Sequence, residues 1–307
     1  MLSFRGLSWP FSKHRALPTF SALPANDWFD STTTGRMMFT EQLLREGLKA
    51  RVFGGKIYTF DTIDSTSNCA RALAGCFAPE GTVVISEQQT AGRGRLGRTW
   101  QASPGENLTF SIILRPALPP EAVNLLPLYV AVSVAQASQQ VAQTKVECKW
   151  PNDLMIQGKK FGGILLEGSV KQNELEYVVV GIGLNVNQTT FTPELQERAT
   201  SLRLASGKTI NREILFREIL LRLETDYQTL KASGFRNVLP IWLSFSSMNG
   251  KQISVEQNGN VLSGTVRGLS PDGGLILQAD GAERVLFAGD VTIVGFDRGG
   301  GTHAAGH

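Results

Sequence analysis

From residue 39 the apolar positions switch between two periods. In TEQLLREGLKA, residues 40–50, Leu43, Leu44 and Leu48 fall on one side behind Thr40, the pattern of a short helix with its N-cap. KIYTFDTI at 56–63 is rich in β-branched and aromatic residues and predicts a strand. A polar cluster at 64–68 then leads into a helix, CARALAGCF, with Cys69, Leu73 and Cys76 along one side. Strands are predicted at 81–86 and 107–115, followed by a long apolar, alanine-rich helix over 121–142 and a short strand at 145–149. After a turn at Pro151 and Asn152 comes a meander of three strands through residue 187. Asn211 opens a second long helix whose Ile214, Leu215 and Leu221 keep the helical period, with Gly234 just past its end. A short helix is expected near 235–243.

After Gly250 the pattern becomes short alternating strands punctuated by Asn258-Gly259, Asp272-Gly273 and Asp280-Gly281, each a hairpin signal. Four or five such strands predict a small SH3-like barrel. Residues 1–38 show no clear period and are expected to form a loosely ordered extension. The glycine-rich end, 298–307, is expected to be mobile.

The chain has 307 residues, enough for one large domain and a small one. A net charge of only +3 argues against bulk nucleic-acid binding. The three histidines, His14, His303 and His307, all sit near the termini, which excludes Ser-His-Asp hydrolysis, Cys-His proteolysis and histidine-ligated zinc from the interior. Cys69, Cys76 and Cys148 have no metal-type spacing and read as free, inert thiols of a reducing compartment. With no long apolar run and no signal-type N-terminus, a cytoplasmic protein without membrane contact is expected.

The chemistry concentrates in QQTAGRGRLGRTW, residues 88–100. Gly92, Gly94 and Gly97 alternate with Arg93, Arg95 and Arg98 after an apolar strand. Glycine permits unusual backbone shapes and arginine binds phosphate or carboxylate as a rigid fork, so the stretch reads as a loop that closes over an anion. It matches G-x-G-x-x-G literally, but no helix starts inside it and no acidic residue follows at the spacing of a dinucleotide fold. No Walker loop is present. Lys149, Lys159 and Lys160 recur at turns of the same predicted sheet and supply a second cationic arm, though Lys149 also fits a solvated turn. Asp64 to Asn68 fits either a helix cap or a set of donors for a polar ligand head. Gly181 and Gly183 interrupt a strand where something comes close to the backbone. Trp100 and Trp150 read first as packing residues.

GRGRLGRTW, KWPNDL at 149–154, GKKFGGILLEG at 158–168 and GIGLNVN at 181–187 occur in an order and spacing that resembles the bacterial biotin protein ligases. DSTSN at 64–68 is similar to the first ligand loop of that family. The resemblance covers roughly residues 55–295. It implies an α+β catalytic domain over 39–247, a mixed sheet with helices on one face that is shared with lipoate ligases and the class II synthetase fold. An SH3-like domain follows at 248–297. It implies ATP with magnesium as co-substrate, biotin as substrate, and formation of biotinyl-5′-AMP. Biotin then passes to a lysine of the biotin carboxyl carrier protein of acetyl-CoA carboxylase.

By that resemblance Ser65, Thr66, Ser67, Gln89, Arg93, Gly94, Arg95, Lys160, Gly163, Gly181 and Gly183 line the biotin site. Arg93, Arg95, Arg98, Asn152, Lys160 and Asn185 meet the adenylate, and Arg95, Lys160 and Asp153 serve catalysis, with no metal held by the protein itself. The family often has Asn at the third loop position, where this chain has Ser67 followed by Asn68. The alternatives are a ligase that also represses transcription through an N-terminal DNA-binding domain, or a lipoate or octanoate transferase. The unpatterned first 36 residues weigh against the former, and KWPND with the arginine loop against the latter. Monomer and homodimer both stay open.

Overall fold

The computed structural model describes residues 39–118, 120–171, 174–257 and 259–293. The N-terminal extension, Asn258 of one hairpin signal, and the glycine-rich tail lie outside the described residues.

The larger part is a seven-stranded mixed sheet. Its strands are β1 (Ile57–Ile63), β2 (Val83–Gln89), β3 (Leu108–Leu114), β4 (Glu147–Lys149), β5 (Asp153–Ile156), β6 (Lys159–Lys171) and β7 (Glu174–Leu184). They lie in the order β1-β2-β3-β7-β6-β5-β4, with β1 and β2 parallel and the other neighbours antiparallel. The parallel pair needs a crossover, and α2 (Thr66–Gly75) supplies it. The short α1 (Glu41–Arg45) stops before Gly47, whose φ of +76° no helix continues through; Thr40 caps it as expected, accepting from Leu43 N at 3.1 Å.

All seven residues of β3 are buried, so both faces of the sheet are covered. One face carries Val83, Ile85, Ile112, Leu114, Val178, Val180 and Ile182 against α3 (Leu126–Ala142) and α6 (Arg212–Ser233). The opposite face carries Val84, Ile113 and Val179 against Ala70, Leu73 and Ala74 of α2. The expectation of helices on a single face is therefore corrected: α2 occupies the second. The long helix also begins later than its apolar pattern. Pro120–Leu125 is a 3₁₀ segment, and α3 starts with Pro127 in its first turn, where the missing N–H costs nothing.

Two small helices, α4 (Pro193–Gln196) and α5 (Leu202–Ser206), precede α6; a 3₁₀ turn at Phe235–Asn237 and α7 (Val238–Phe245) follow it. The remaining strands, β8 (Gln252–Gln257), β9 (Asn260–Leu269), β10 (Leu275–Ala279), β11 (Ala282–Leu286) and β12 (Asp290–Ile293), form a five-stranded antiparallel sheet. Asp280 and Gly281, both at positive φ, make the two-residue β10–β11 turn. The core of this sheet, including Ile253, Val255, Leu275 and Leu277, is continuous with the larger one. Trp150 is buried there as a packing residue and donates from Nε1 to Gly273 O at 3.2 Å.

Candidate active site

The α2 face of the sheet has a strip with little side-chain volume. Across β3, β7 and β6, Thr109 pairs with Gly183 and Gly183 with Gly163; one step on, Ser111 pairs with Gly181 and Gly181 with Leu165. Side chains alternate along a strand, so these residues share one face, and the strip ends where Ile113 and Val179 meet α2. A cavity of about 50 Å³ sits on it. Ser65, Thr66, Ser67, Gln89, Arg93, Gly94, Lys160, Gly163, Gly181 and Gly183 all line this cavity, with Trp100, Thr109 and Phe110. Ten of the positions implied by the family resemblance thus converge on one place.

The polar cluster at 64–68 starts α2, but not by ordinary capping. Ser65 stands at the N-cap with no side-chain capping bond. Thr66 N and Oγ1 instead donate to Gln89 Oε1 at 2.8 and 3.1 Å. The Thr66 and Ser67 hydroxyls both meet Ser111 Oγ, at 2.9 and 3.0 Å. Asn68 turns away and donates from Nδ2 to Asp64 Oδ2 at 2.6 Å. The third loop position at the cavity is therefore Ser67. Sequence reading missed Ser111, a fully buried serine in a mostly apolar strand; its hydroxyl amid Phe110, Ile112 and Ile113 is the available signal.

The arginine loop is a small hairpin. Trp100 N donates to Gly92 O at 3.0 Å and Gly94 N to Arg98 O at 2.7 Å. Its tip, Arg95–Gly97, places Leu96 and Gly97 at positive φ and leaves Leu96 exposed. At its base Trp100 turns inward. A β-carbon on Gly183 would lie 2.5 Å from Trp100 Cε2, and one on Gly181 2.8 Å from Ser67 Oγ. The close approach inferred at these two glycines is made by protein side chains. Trp100 is consequently corrected from a packing residue to a cavity wall.

The loop's arginines divide. Arg93 lines the cavity and donates to Glu167 Oε2 at 2.8 Å. Arg95 is half-buried and donates from Nη1 to Asn152 Oδ1 at 3.2 Å, while Asn152 Nδ2 donates back to Ile164 O. Arg98 is exposed and paired with Asp290 of β12. Neither Arg95 nor Arg98 reaches the cavity wall. Asn185 does not reach it either: its side chain is buried and donates to Thr200 O at 3.1 Å.

A two-residue turn at Gln157 and Gly158, both at positive φ, sets the register of Lys160. Lys160 Nζ stands 2.5 Å from Asp153 Oδ1 on the neighbouring strand. Lys149 lies opposite Asp153 in the β4–β5 ladder. Burial pushes the Lys149 ammonium below its ordinary pKa, with Asp153 pulling the other way and Lys160 adding to the drop. Burial likewise lowers Arg95, against the opposing pull of Asp290 and Asp153. Cations outnumber carboxylates at this mouth, an arrangement that favours a bound anion. Three buried polar atoms around the cavity, Asp64 Oδ1, Arg93 Nε and Trp100 Nε1, find no hydrogen-bond partner among the described residues. No group of three His, Cys, Asp or Glu side chains among the described residues is placed to hold a metal ion.

A larger groove of about 460 Å³ lies between Pro116 and Phe235. It contains none of these residues.

Fold and site together define a ligase of the biotin and lipoate class. Residues 60–185 match the biotin/lipoate A/B protein ligase family, and residues 250–294 match the biotin protein ligase C-terminal domain. The chain belongs to the biotin protein ligase family. It is 35% identical over 256 residues to the bifunctional ligase/repressor BirA of Bacillus subtilis, covering 83% of this chain and 79% of that protein. It is 33% identical to the biotin--[acetyl-CoA-carboxylase] ligase of Mycobacterium tuberculosis, covering 72% of this chain and 82% of that one. Among solved structures, the Aquifex aeolicus biotin protein ligase in complex with biotin and ATP matches with a TM-score of 0.68 at 28% identity, over 78% of this chain and 98% of that chain.

Proposed function

We propose that the chain activates biotin with ATP and transfers it to a lysine of the biotin carboxyl carrier protein of acetyl-CoA carboxylase, in the cytoplasm. The observation that carries this reading is the convergence of the ligand-loop hydroxyls, Gln89, Arg93 and Lys160 on one glycine-floored cavity. The hydroxyls of Ser65, Thr66 and Ser67 suit the ureido group of biotin, whose oxygen accepts and whose N–H groups donate. The bare strip at Gly163, Gly181 and Gly183 admits flat ring atoms against the backbone. Trp100, folded onto Gly183, has to swing off the strip or stack on the ligand as biotin enters.

In the first step a biotin carboxylate oxygen attacks the α-phosphorus of ATP, and the bond to pyrophosphate breaks. Two anions are joined, so the residues' task is to offset charge rather than to move a proton. Lys160 stands where carboxylate and α-phosphate meet, and Asn152, Arg95 and Arg98 surround the nucleotide side. Magnesium comes with the triphosphate, whose oxygens and water supply its ligands. In the second step the acceptor lysine amine attacks the acyl carbon, AMP leaves, and the amine gives up a proton. Asp153 is the carboxylate nearest that place. The arginine loop shields the mixed anhydride from water.

Incubation with ATP, magnesium and either biotin or lipoate, followed by identification of the acyl adenylate, tests the substrate. Biotinyl-5′-AMP alone supports the reading; lipoyl-AMP alone overturns it. The reading includes no DNA-binding activity. A mobility-shift assay with biotin and ATP present is expected to show no sequence-specific complex, and a tight one would contradict that.

A further inference from the structure

Glu167 falls within the GKKFGGILLEG stretch but has no role assigned to it, and it touches both α2 and the arginine loop. It follows Gly163 and Leu165 on the cavity face of β6 and is largely buried, its side chain 13% exposed. One carboxylate oxygen accepts from Arg93 at 2.8 Å, at the root of the arginine loop. The other lies 3.6 Å from Arg71 Nη1 on α2. Arg71 Nη2 in turn donates to Asn68 Oδ1 at 2.7 Å, and Asn68 to Asp64 at 2.6 Å. A line of polar contacts thus runs from the ligand loop through Arg71 and Glu167 to Arg93. Nothing else among the described residues bonds the Arg93 side chain, and its Nε is buried without a partner.

We propose that Glu167 is a positioning residue that clamps the root of the arginine loop against α2, so that the retention time of the adenylate depends on it. This rests on the ligase reading. A carboxylate held between two guanidinium groups in a mostly buried place makes charge-assisted bonds that a neutral side chain does not replace. Freed of Glu167, the Arg93 side chain has no protein partner at the root of the hairpin, while the tip stays tied through Arg95 to Asn152 and through Arg98 to Asp290. The chemical step itself lies at Lys160, on the other side of the cavity, and is left in place.

The test uses the full chain and the variants Glu167→Gln, Glu167→Asp and Arg71→Met. Preformed biotinyl-5′-AMP is chased from each protein, pyrophosphate release is followed at saturating biotin and ATP, and loop opening is read by limited trypsin cleavage after Arg93, Arg95 and Arg98. Glu167→Gln is expected to release the adenylate about tenfold faster and to raise loop cleavage. Its pyrophosphate burst and melting temperature should stay close to wild type. Arg71→Met should show a smaller change in the same direction, and Glu167→Asp partial rescue. Unchanged release and cleavage in Glu167→Gln would overturn the proposal, as would a faster release matched by an equal loss in Arg71→Met melting temperature and in every other activity. If the wild-type chain forms no adenylate, it is the ligase reading that fails; the trypsin comparison still decides whether Glu167 holds the loop.

Discussion

Lys160 Nζ and Asp153 Oδ1 stand 2.5 Å apart on adjacent strands, at the mouth of a cavity whose floor is glycine. On the proposed reading, this ammonium is the cation that meets the carboxylate and the phosphate. The pair also gives that ammonium a counter-ion until they arrive.

Under the proposed mechanism, replacing Lys160 removes charge stabilisation from the transfer to the α-phosphorus. Lys160→Ala is expected to slow biotin-dependent pyrophosphate release by about a hundred- to a thousandfold, the usual cost of losing one such electrostatic contact. Thermal stability should hardly change, because the pair is partly solvated and worth little to the fold. Near-normal pyrophosphate release would remove Lys160 from the reaction.

Gly183→Ala tests the bare strip. Its β-carbon would meet the Trp100 ring at 2.5 Å, so either the ring or the strand has to move. Biotin affinity measured by calorimetry is expected to fall about tenfold. In a Trp100→Ala background the stability cost of Gly183→Ala should largely vanish, since the two residues are in direct contact. Equal costs in both backgrounds would contradict this steric account.

Away from the cavity, Arg212 at the start of α6 holds Glu87 at the end of β2, with side chains only 7% and 8% exposed. Arg212 also donates to Asn107 O at 2.9 Å and covers the Phe39 ring. Arg212→Ala leaves Glu87 buried and unpaired and should cost about 3–5 kcal/mol in urea unfolding. A loss well under 1 kcal/mol would show that water reaches the carboxylate readily.

The thiols give a pH prediction. Burial, with Glu147 adding, pushes Cys148 up to about 12; burial and then Asp64 push Cys69 up to about 11, both from an ordinary value of 9.0. The folded state therefore holds these protons more tightly than the unfolded one. That contribution to stability is complete below pH 9.0 and is lost as pH rises towards 11 and 12. At pH 8, a disulfide reagent should modify Cys148 only as fast as the protein unfolds. Rapid labelling of Cys148 in the native state would refute its burial.

Most of the elements were legible in the sequence because each is written locally, in a period, a cap or a turn. Gln157-Gly158 and Asp280-Gly281 fix two hairpins through residues at positive φ. The glycines of the strip were visible as interruptions in an apolar strand. What covers them was not, because Gly183 and Trp100 are brought together by the return of a loop rather than by spacing. Ser111 and Glu167 escaped for the same reason: their partners come from α2 and the arginine loop, set by register across three strands. The α2 layer on the second face was written in Val84, Ile113 and Val179, buried residues alternating with those that face α3 and α6. Arg98 pairs with Asp290, which comes from the far end of the chain, a contact that no local spacing announces.

This cavity is proposed to make biotinyl-5′-AMP and to hand the biotin to a carrier lysine. The direct measurement is mass spectrometry of a purified biotin carboxyl carrier domain after incubation with the protein, biotin, ATP and magnesium. The expected result is one biotinyl group on a single lysine, AMP and pyrophosphate released in step with it, and no labelling by Lys160→Ala. An unmodified carrier domain, with biotin and ATP recovered intact, would contradict it.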